Sequence, residues 1–143
     1  MPSDPGAGWR LVDGTPIRLR PLSTVDGERE FGYAIAVPDE GGERLIGEVR
    51  LVVDGSSGSA DITLVIADAW QRHGIGTMAL LALARAAAQR GLRWLHADVD
   101  DANQAMLRML HRCGFIATPH PDDVNRTHLH LLLLPPFPGQ QRD

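Results

Sequence analysis

Leu64-Val65-Ile66-Ala67-Asp68-Ala69-Trp70-Gln71-Arg72-His73-Gly74-Ile75-Gly76-Thr77 closes one apolar run and opens another of a different period. Before it, Ser59–Ala67 reads as a strand whose apolar body is Ile62 to Ile66. After it, Gly74–Arg90 is rich in alanine and leucine, both strong helix formers, and Gly91 is a natural stop. The helix looks apolar nearly all round, which predicts deep burial. A strand, a loop and a helix start place unpaired N–H groups and a positive dipole end together. Gly74 and Gly76 let a ligand approach the main chain there. The stretch therefore predicts an anion site suited to a pyrophosphate; a tight helix start with no ligand is the plain alternative.

Strand signals dominate upstream. Thr15–Arg20 alternates, with Ile17 and Leu19 against Arg18 and Arg20, and Pro21 is expected to stop it. Phe31–Val37 and Leu45–Val53 read as an antiparallel hairpin about the turn Pro38–Gly42, and Asp54–Gly58 is a second turn. Downstream, Leu92–Val99 is a strand. Asp101 with Gln104 resembles a capping box for a helix that Gly114 ends. Ala105, Met106, Met109, Leu110 and Cys113 share a face of that helix, so Cys113 and both methionines read as core. Phe115–Thr118 and Thr127–Leu134 are the last strands, with Pro119–Arg126 as a loop. The order predicts an α+β fold with a mixed, mostly antiparallel sheet of about seven strands and two main helices. Residues 1–14 are expected to be a flexible tail, 15–134 one domain, and 135–143 a second tail.

With 143 residues the chain can build a single real core. Apolar residues make up 43% and charged residues 22%, as in ordinary globular proteins. The formal charge of −4 argues against a nucleic-acid partner. No run reaches the ~20 apolar residues of a membrane span, and Met1–Gly8 lacks the pattern of a secretory signal. A lone Cys113 fits a reducing, cytoplasmic setting. All 14 basic residues are arginines, which excludes a P-loop lysine, a Schiff-base enzyme and a Ser–Lys hydrolase.

Two nucleotide readings compete for the glycine loop. Gly74-x-Gly76-x-x-Ala79 also fits the dinucleotide fingerprint, with Asp98 and Asp100 roughly 20 residues onward. That fingerprint wants its first glycine directly after the strand and a parallel sheet beginning there. Here a loop intervenes and four strands come first. The better match is a family. Gln71-x-x-Gly74-x-Gly76 resembles the Gln/Arg-x-x-Gly-x-Gly/Ala signature of GNAT-family acyl-CoA N-acyltransferases. Asn103 through Gly114-Phe115 resembles that family's second motif, an asparagine opening a helix that ends in Gly-Phe. The resemblance covers roughly Thr15 to Leu134. It is greatest to the catalytic domain of bacterial protein-lysine acetyltransferases, carried by Ala60–Asp68 with Trp70-Gln71, and by Asn103 with Ala105–Arg108.

The resemblance implies acetyl-CoA, or a related acyl-CoA, as co-substrate. Backbone groups of Leu64, Val65 and Ile66 would hold the pantetheine arm and polarise the thioester. Gln71, Arg72, His73, Gly74, Ile75, Gly76 and Thr77 would cradle the pyrophosphate, and Asn103 would hold the pantetheine from its other side. Asp61 stands where those acetyltransferases carry a glutamate base; an exposed acid at a strand start is its bland counterpart. The implied activity is direct acyl transfer to a primary amine, a small molecule or a protein lysine. The rival is a non-catalytic acyl-CoA-binding module on the same fold. Two departures stand out. Leu110 occupies the place of a general-acid tyrosine, and Leu22–Glu30 leaves no room for the two helices that the family usually places there.

Lesser candidates surround this core. His128 and His130 share one face of the last strand and could bind a metal, yet no third ligand is placed by spacing, so no metal is expected. His73 lies in the loop itself, and Asp122 and Asp123 lie near the expected acceptor mouth. The missing helical cover predicts an exposed apolar face on Phe31, Tyr33, Ile35 and Val37. The long apolar strand ending at Leu134 adds a sticky edge. Together they predict a homodimer.

Overall fold

The computed structural model describes residues 9–23, 29–55 and 57–133. Its elements are β1 (Arg18–Pro21), β2 (Glu30–Asp39), β3 (Gly42–Asp54), β4 (Ser59–Ile66), a 3-10 turn (Asp68–Trp70), α1 (Ile75–Gln89), β5 (Trp94–Asp100), α2 (Gln104–Arg112), β6 (Ile116–Pro119) and β7 (Arg126–Leu132). The strands form one sheet in the order β1-β2-β3-β4-β5-β7-β6. β4 and β5 are parallel, whereas β1–β2, β5–β7 and β6–β7 are antiparallel, so the sheet is mixed. The expected α+β fold is the observed one. Only Leu22–Arg29 join β1 to β2, and two α-helices are present among the described residues. The expected tails and the Leu22–Glu30 link fall partly on residues 1–8, 24–28 and 134–143, outside the described residues; Arg10 already pairs with Pro16.

The chain packs as two compact units, Met1–Leu51 with Thr63–Leu83 and Val52–Ile62 with Ala84–Asp143. The core of the first holds Ile17, Leu19, Ile35, Val49, Leu80 and Leu83, all essentially inaccessible. The second is centred on Leu95, Leu110, Phe115 and Leu129. Ile75, Gly76, Ala79, Leu80, Leu83 and Ala87 are the buried residues of α1, one stripe of the helix. Met78 and Leu81, at 44% and 47% exposure, lie off it. The expectation of all-round burial is thus corrected: alanine and leucine continue onto the outer face because they favour helix, whether or not they are covered.

Proline falls where the sheet tolerates it. Pro21 is the last paired residue of β1, opposite Tyr33, rather than a stop before it. Pro119 likewise ends β6, opposite Thr127. Both are edge strands, where a missing N–H costs no ladder bond and discourages further pairing. The second helix also starts later than a cap at Asp101 would place it. Asn103 is the N-cap, its Oδ1 accepting from Met106 N–H at 3.2 Å. Asp101 instead accepts the Thr127 hydroxyl at 2.6 Å.

The two surfaces behind the expected homodimer are covered by the chain itself. Phe31, Ile35 and Val37 are buried and Tyr33 is half-buried. β7 is flanked by β5 on one side and, from Thr127 to His130, by β6 on the other, so it is an inner strand of the sheet. The strand pairs on both sides because β6, only four residues long, folds back against it.

Gly47 in β3 controls the approach of that strand to the end of β4. A Cβ built there would lie 2.4 Å from the Val65 carbonyl oxygen and 3.2 Å from Ile66 Cα. These are backbone atoms and cannot swing away. Gly47→Ala is expected to destabilise the fold by about 1–3 kcal/mol, the scale of overpacking. Chemical denaturation checks this; an unchanged midpoint would show that the strands part freely at Gly47.

Candidate active site

The loop after β4 is built by short-range bonds. Ala67 N–H donates to the Ile46 carbonyl at 2.8 Å, continuing the strand's pairing by one residue. The chain then turns through Asp68–Trp70, with Trp70 N–H on the Ala67 carbonyl and Gln71 N–H on the Asp68 carbonyl. The Gln71 side chain ties the loop back to the strand, donating to the Ile66 carbonyl at 2.9 Å and to Asp68 Oδ1 at 3.3 Å. Gln71 is thus a brace as well as a loop residue.

Two residues beyond the brace adopt left-handed backbone angles: Arg72 at φ 69° and Gly74 at φ 79°. For glycine this conformation is free. For arginine it is uncommon and costs of order 1–2 kcal/mol. Among the described residues Arg72 alone does so without being glycine. The turn leaves a run of donors unsatisfied: no main-chain N–H from Arg72 to Thr77 donates to any group among the described residues. The first turn of α1 carries no acidic side chain to offset its dipole. Successive N–H groups facing one way at a helix start form an anion-binding concavity. A Cβ on Gly74 would meet no atom within 4 Å, so the loop there is open.

Along β4, the ladder with β5 pairs Ser59 with Trp94, Ala60 with Leu95 and Asp61 with His96, and then stops. β4 itself runs on to Ile66. Its last residues, Leu64, Val65 and Ile66, therefore keep main-chain groups unpaired by β5 on that edge, and Val65 is 64% exposed. A bare strand edge followed by a donor-rich helix start can take an extended amide chain and the phosphates attached to it.

A family model described as an acetyltransferase (GNAT) domain matches residues 2–116. The chain belongs to the GNAT acetyltransferase family. A curated relative, acetyltransferase PA5475 of Pseudomonas aeruginosa, is 25% identical over 124 residues, covering 87% of this chain. The match spans 66% of that relative's length. Among solved structures, the GNAT domain of PAT from S. lividans superposes with a TM-score of 0.76 at 20% identity, covering 93% of this chain and 99% of that one. Spermidine N-acetyltransferase from Vibrio cholerae, solved with CoA and spermine, gives 0.63 at 18% identity, covering 76% and 69%. These neighbours share the fold.

The remaining residues singled out in the sequence of this GNAT domain fall as follows. Asp61 is exposed on β4, at the last rung of the β4–β5 ladder. Asn103 caps α2 with its oxygen, and its amide N–H groups donate to no group among the described residues. Leu110 is 1% exposed, a core side chain with nothing to donate. Asp122 and Asp123 sit in the loop before β7, where Asp123 accepts Asn125 N–H. Met109 is buried; Cys113 and Met106 are only half-buried, and burial pushes the Cys113 thiol up. Among the described residues no group of three or more His, Cys, Asp or Glu is placed to hold a metal, and no helix is long and apolar enough to cross a membrane.

Sequence reasoning singled out His128 and His130 but missed the cluster they form with His96 and Asp98. On one face of β5 and β7, His96 Nδ1 lies 3.2 Å from His128 Nε2, and His128 Nδ1 lies 2.8 Å from Asp98 Oδ1. His130 stacks on His128, and Trp94 contacts both His96 and His130. The alternation of Trp94, His96 and Asp98 was the available signal: polar or amphipathic residues at every second place of an otherwise apolar strand.

Proposed function

We propose that this chain transfers an acetyl or short acyl group from acyl-CoA to a primary amine, directly in a ternary complex. The observation that carries it is the run of main-chain N–H groups from Arg72 to Thr77 that have no partner among the described residues, beyond the edge of β4 that β5 leaves unpaired. Those N–H groups would bind the pyrophosphate, with Arg72 and His73 beside it. Main-chain groups of Leu64, Val65 and Ile66 would hold the pantetheine arm and polarise the thioester carbonyl, and Asn103 would donate to the same arm. Bound acyl-CoA supplies an activated acyl carbon. Asp61 would attract the acceptor ammonium and help strip its proton. The amine nitrogen then bonds to that carbon as the carbon–sulfur bond breaks, releasing the thiolate.

The acceptor is a polyamine-like small molecule or a protein lysine. The spermine-bound neighbour supports the first class, and the resemblance of Ala60–Asp68 and of Asn103 with Ala105–Arg108 to bacterial protein-lysine acetyltransferases supports the second. A cytoplasmic setting belongs to the same reading. Leu110 provides no proton for the thiolate, which leaves as such or takes one from water.

Calorimetry with acetyl-CoA, followed by thiol release against a panel of polyamines and lysine peptides, tests this. Binding together with amine-dependent release is the expected result. Binding without turnover on any amine would favour an acyl-CoA-binding module, and absence of binding would overturn both. The chain carries no lysine, so no lysine side chain of its own competes as acceptor.

A further inference from the structure

Asp61 and His96 occupy the last rung of the β4–β5 ladder, and in a ladder paired residues project to the same face. His96 is half-buried there and begins a chain of contacts: His96 Nδ1 to His128 Nε2 at 3.2 Å, and His128 Nδ1 to Asp98 Oδ1 at 2.8 Å. His120 approaches the other carboxylate oxygen, with Nε2 at 3.9 Å from Asp98 Oδ2, and its Nδ1 accepts Asp122 N–H at 3.0 Å. The Nε2 of His120 thus carries the hydrogen, and Asp98 is faced by N–H donors at both oxygens.

That fixes the direction of the chain. An ionised carboxylate only accepts, so His128 must present Nδ1–H to Asp98. In the neutral ring its Nε2 is then bare and accepts from His96 Nδ1–H. The Nε2 of His96 is left with a lone pair and no partner among the described residues. Burial holds His96 below the usual imidazole range, which favours its neutral form at pH 7. The titratable groups that face His96 are Asp61 on β4, Asp54 at the end of β3, and His128 and His130 on β7.

We infer that His96 is a second proton acceptor for the amine beside Asp61, aligned by His128 and Asp98 as positioning residues. This rests on the acyltransferase reading above. The acceptor R–NH3+ gives one proton to His96 Nε2 while the Nδ1 proton of His96 passes to His128 Nε2. The charge then sits on His128 beside Asp98, which are 30% and 44% exposed and can return the proton to water. The freed amine forms the carbon–nitrogen bond as the carbon–sulfur bond breaks. Its second proton goes to solvent or to the departing thiolate.

Long-range proton–nitrogen NMR of the imidazoles on the full chain at neutral pH tests the alignment without any activity. The expected pattern is Nδ1–H with bare Nε2 at both His96 and His128. A hydrogen on Nε2 of neutral His96 would overturn the inference. In kinetics on an accepted amine, kcat/KM should rise as pH rises through the His96 pKa, below 6.5, because the neutral ring is the working form. His96→Gln should remove that acid limb and lower kcat by about 10²-fold with acetyl-CoA affinity unchanged. His128→Gln should lower kcat, since a glutamine in that place cannot take up the Nδ1 proton of His96. An unchanged limb and rate in His96→Gln would refute the role while leaving the acyltransferase reading standing. Absence of wild-type turnover on every amine would refute the reading and the role together.

Discussion

Asp61→Asn is expected to lower turnover by about 10²-fold or more while leaving acyl-CoA affinity unchanged, the usual scale for losing a general base. Asparagine keeps the size of the side chain and its place at the last β4–β5 rung, and removes only basicity and charge. Asp61 is exposed and its side chain makes no hydrogen bond among the described residues, so the fold does not depend on its carboxylate. The loss should appear in kcat and in the KM for the amine, which the carboxylate attracts. Steady-state kinetics with both substrates varied, beside acetyl-CoA calorimetry, separate the effects. Equal turnover in the variant would reduce Asp61 to a surface acid, and weakened acetyl-CoA binding would move it to the cofactor side.

Gly74→Val should weaken acetyl-CoA binding on the order of 10²-fold with the fold retained. At φ 79° a β-branched residue is strained, and relief requires the backbone to rotate. Rotation would turn neighbouring N–H groups away from the position a pyrophosphate takes. Hydrogen bonds to charged groups are worth about 1.5–3 kcal/mol each, so losing one or two gives the expected factor at 1.4 kcal/mol per decade. A Cβ at Gly74 meets no protein atom within 4 Å, so the loss should not come from clashes in the core. Gly76→Val places bulk at a buried residue of the first turn of α1 and should weaken binding likewise. Thermal unfolding of both variants guards the comparison, and wild-type affinity in both would exclude the loop as the phosphate site.

The β2–β3 hairpin illustrates what was legible locally. Its two strands alternate and its turn residues are charged or glycine, so both strands were readable, with errors of one to three residues at the ends. The turn is tighter than the sequence suggests. β2 runs through Pro38 to Asp39, past Ala36 where its pairing with β1 ends, so the proline has no ladder bond to lose on that side. The glycine loop was legible because positive φ, helix capping and strand termination each depend on a few neighbouring residues. The brace from Gln71 to Ile66 was not, since main-chain cradling and side-chain anchoring call for the same residue.

The sequence by itself determined the strand and helix order, the loop at Gln71–Thr77, the helix end at Gly114, and the absence of a donor at Leu110. Each follows from propensity, periodicity or side-chain chemistry acting over one or two turns of chain. Only the tertiary structure decided that Phe31, Ile35 and Val37 are covered, and that β7 lies inside the sheet. It alone ended the β4–β5 ladder at Asp61 and His96, and placed His96 against His128 and Asp98. The physical reason is register. Residues 30 or more positions apart meet only when strand order and pairing offset are set, and those are chosen by packing of the whole core, where a slip of one residue would turn His96 and His128 to the opposite face.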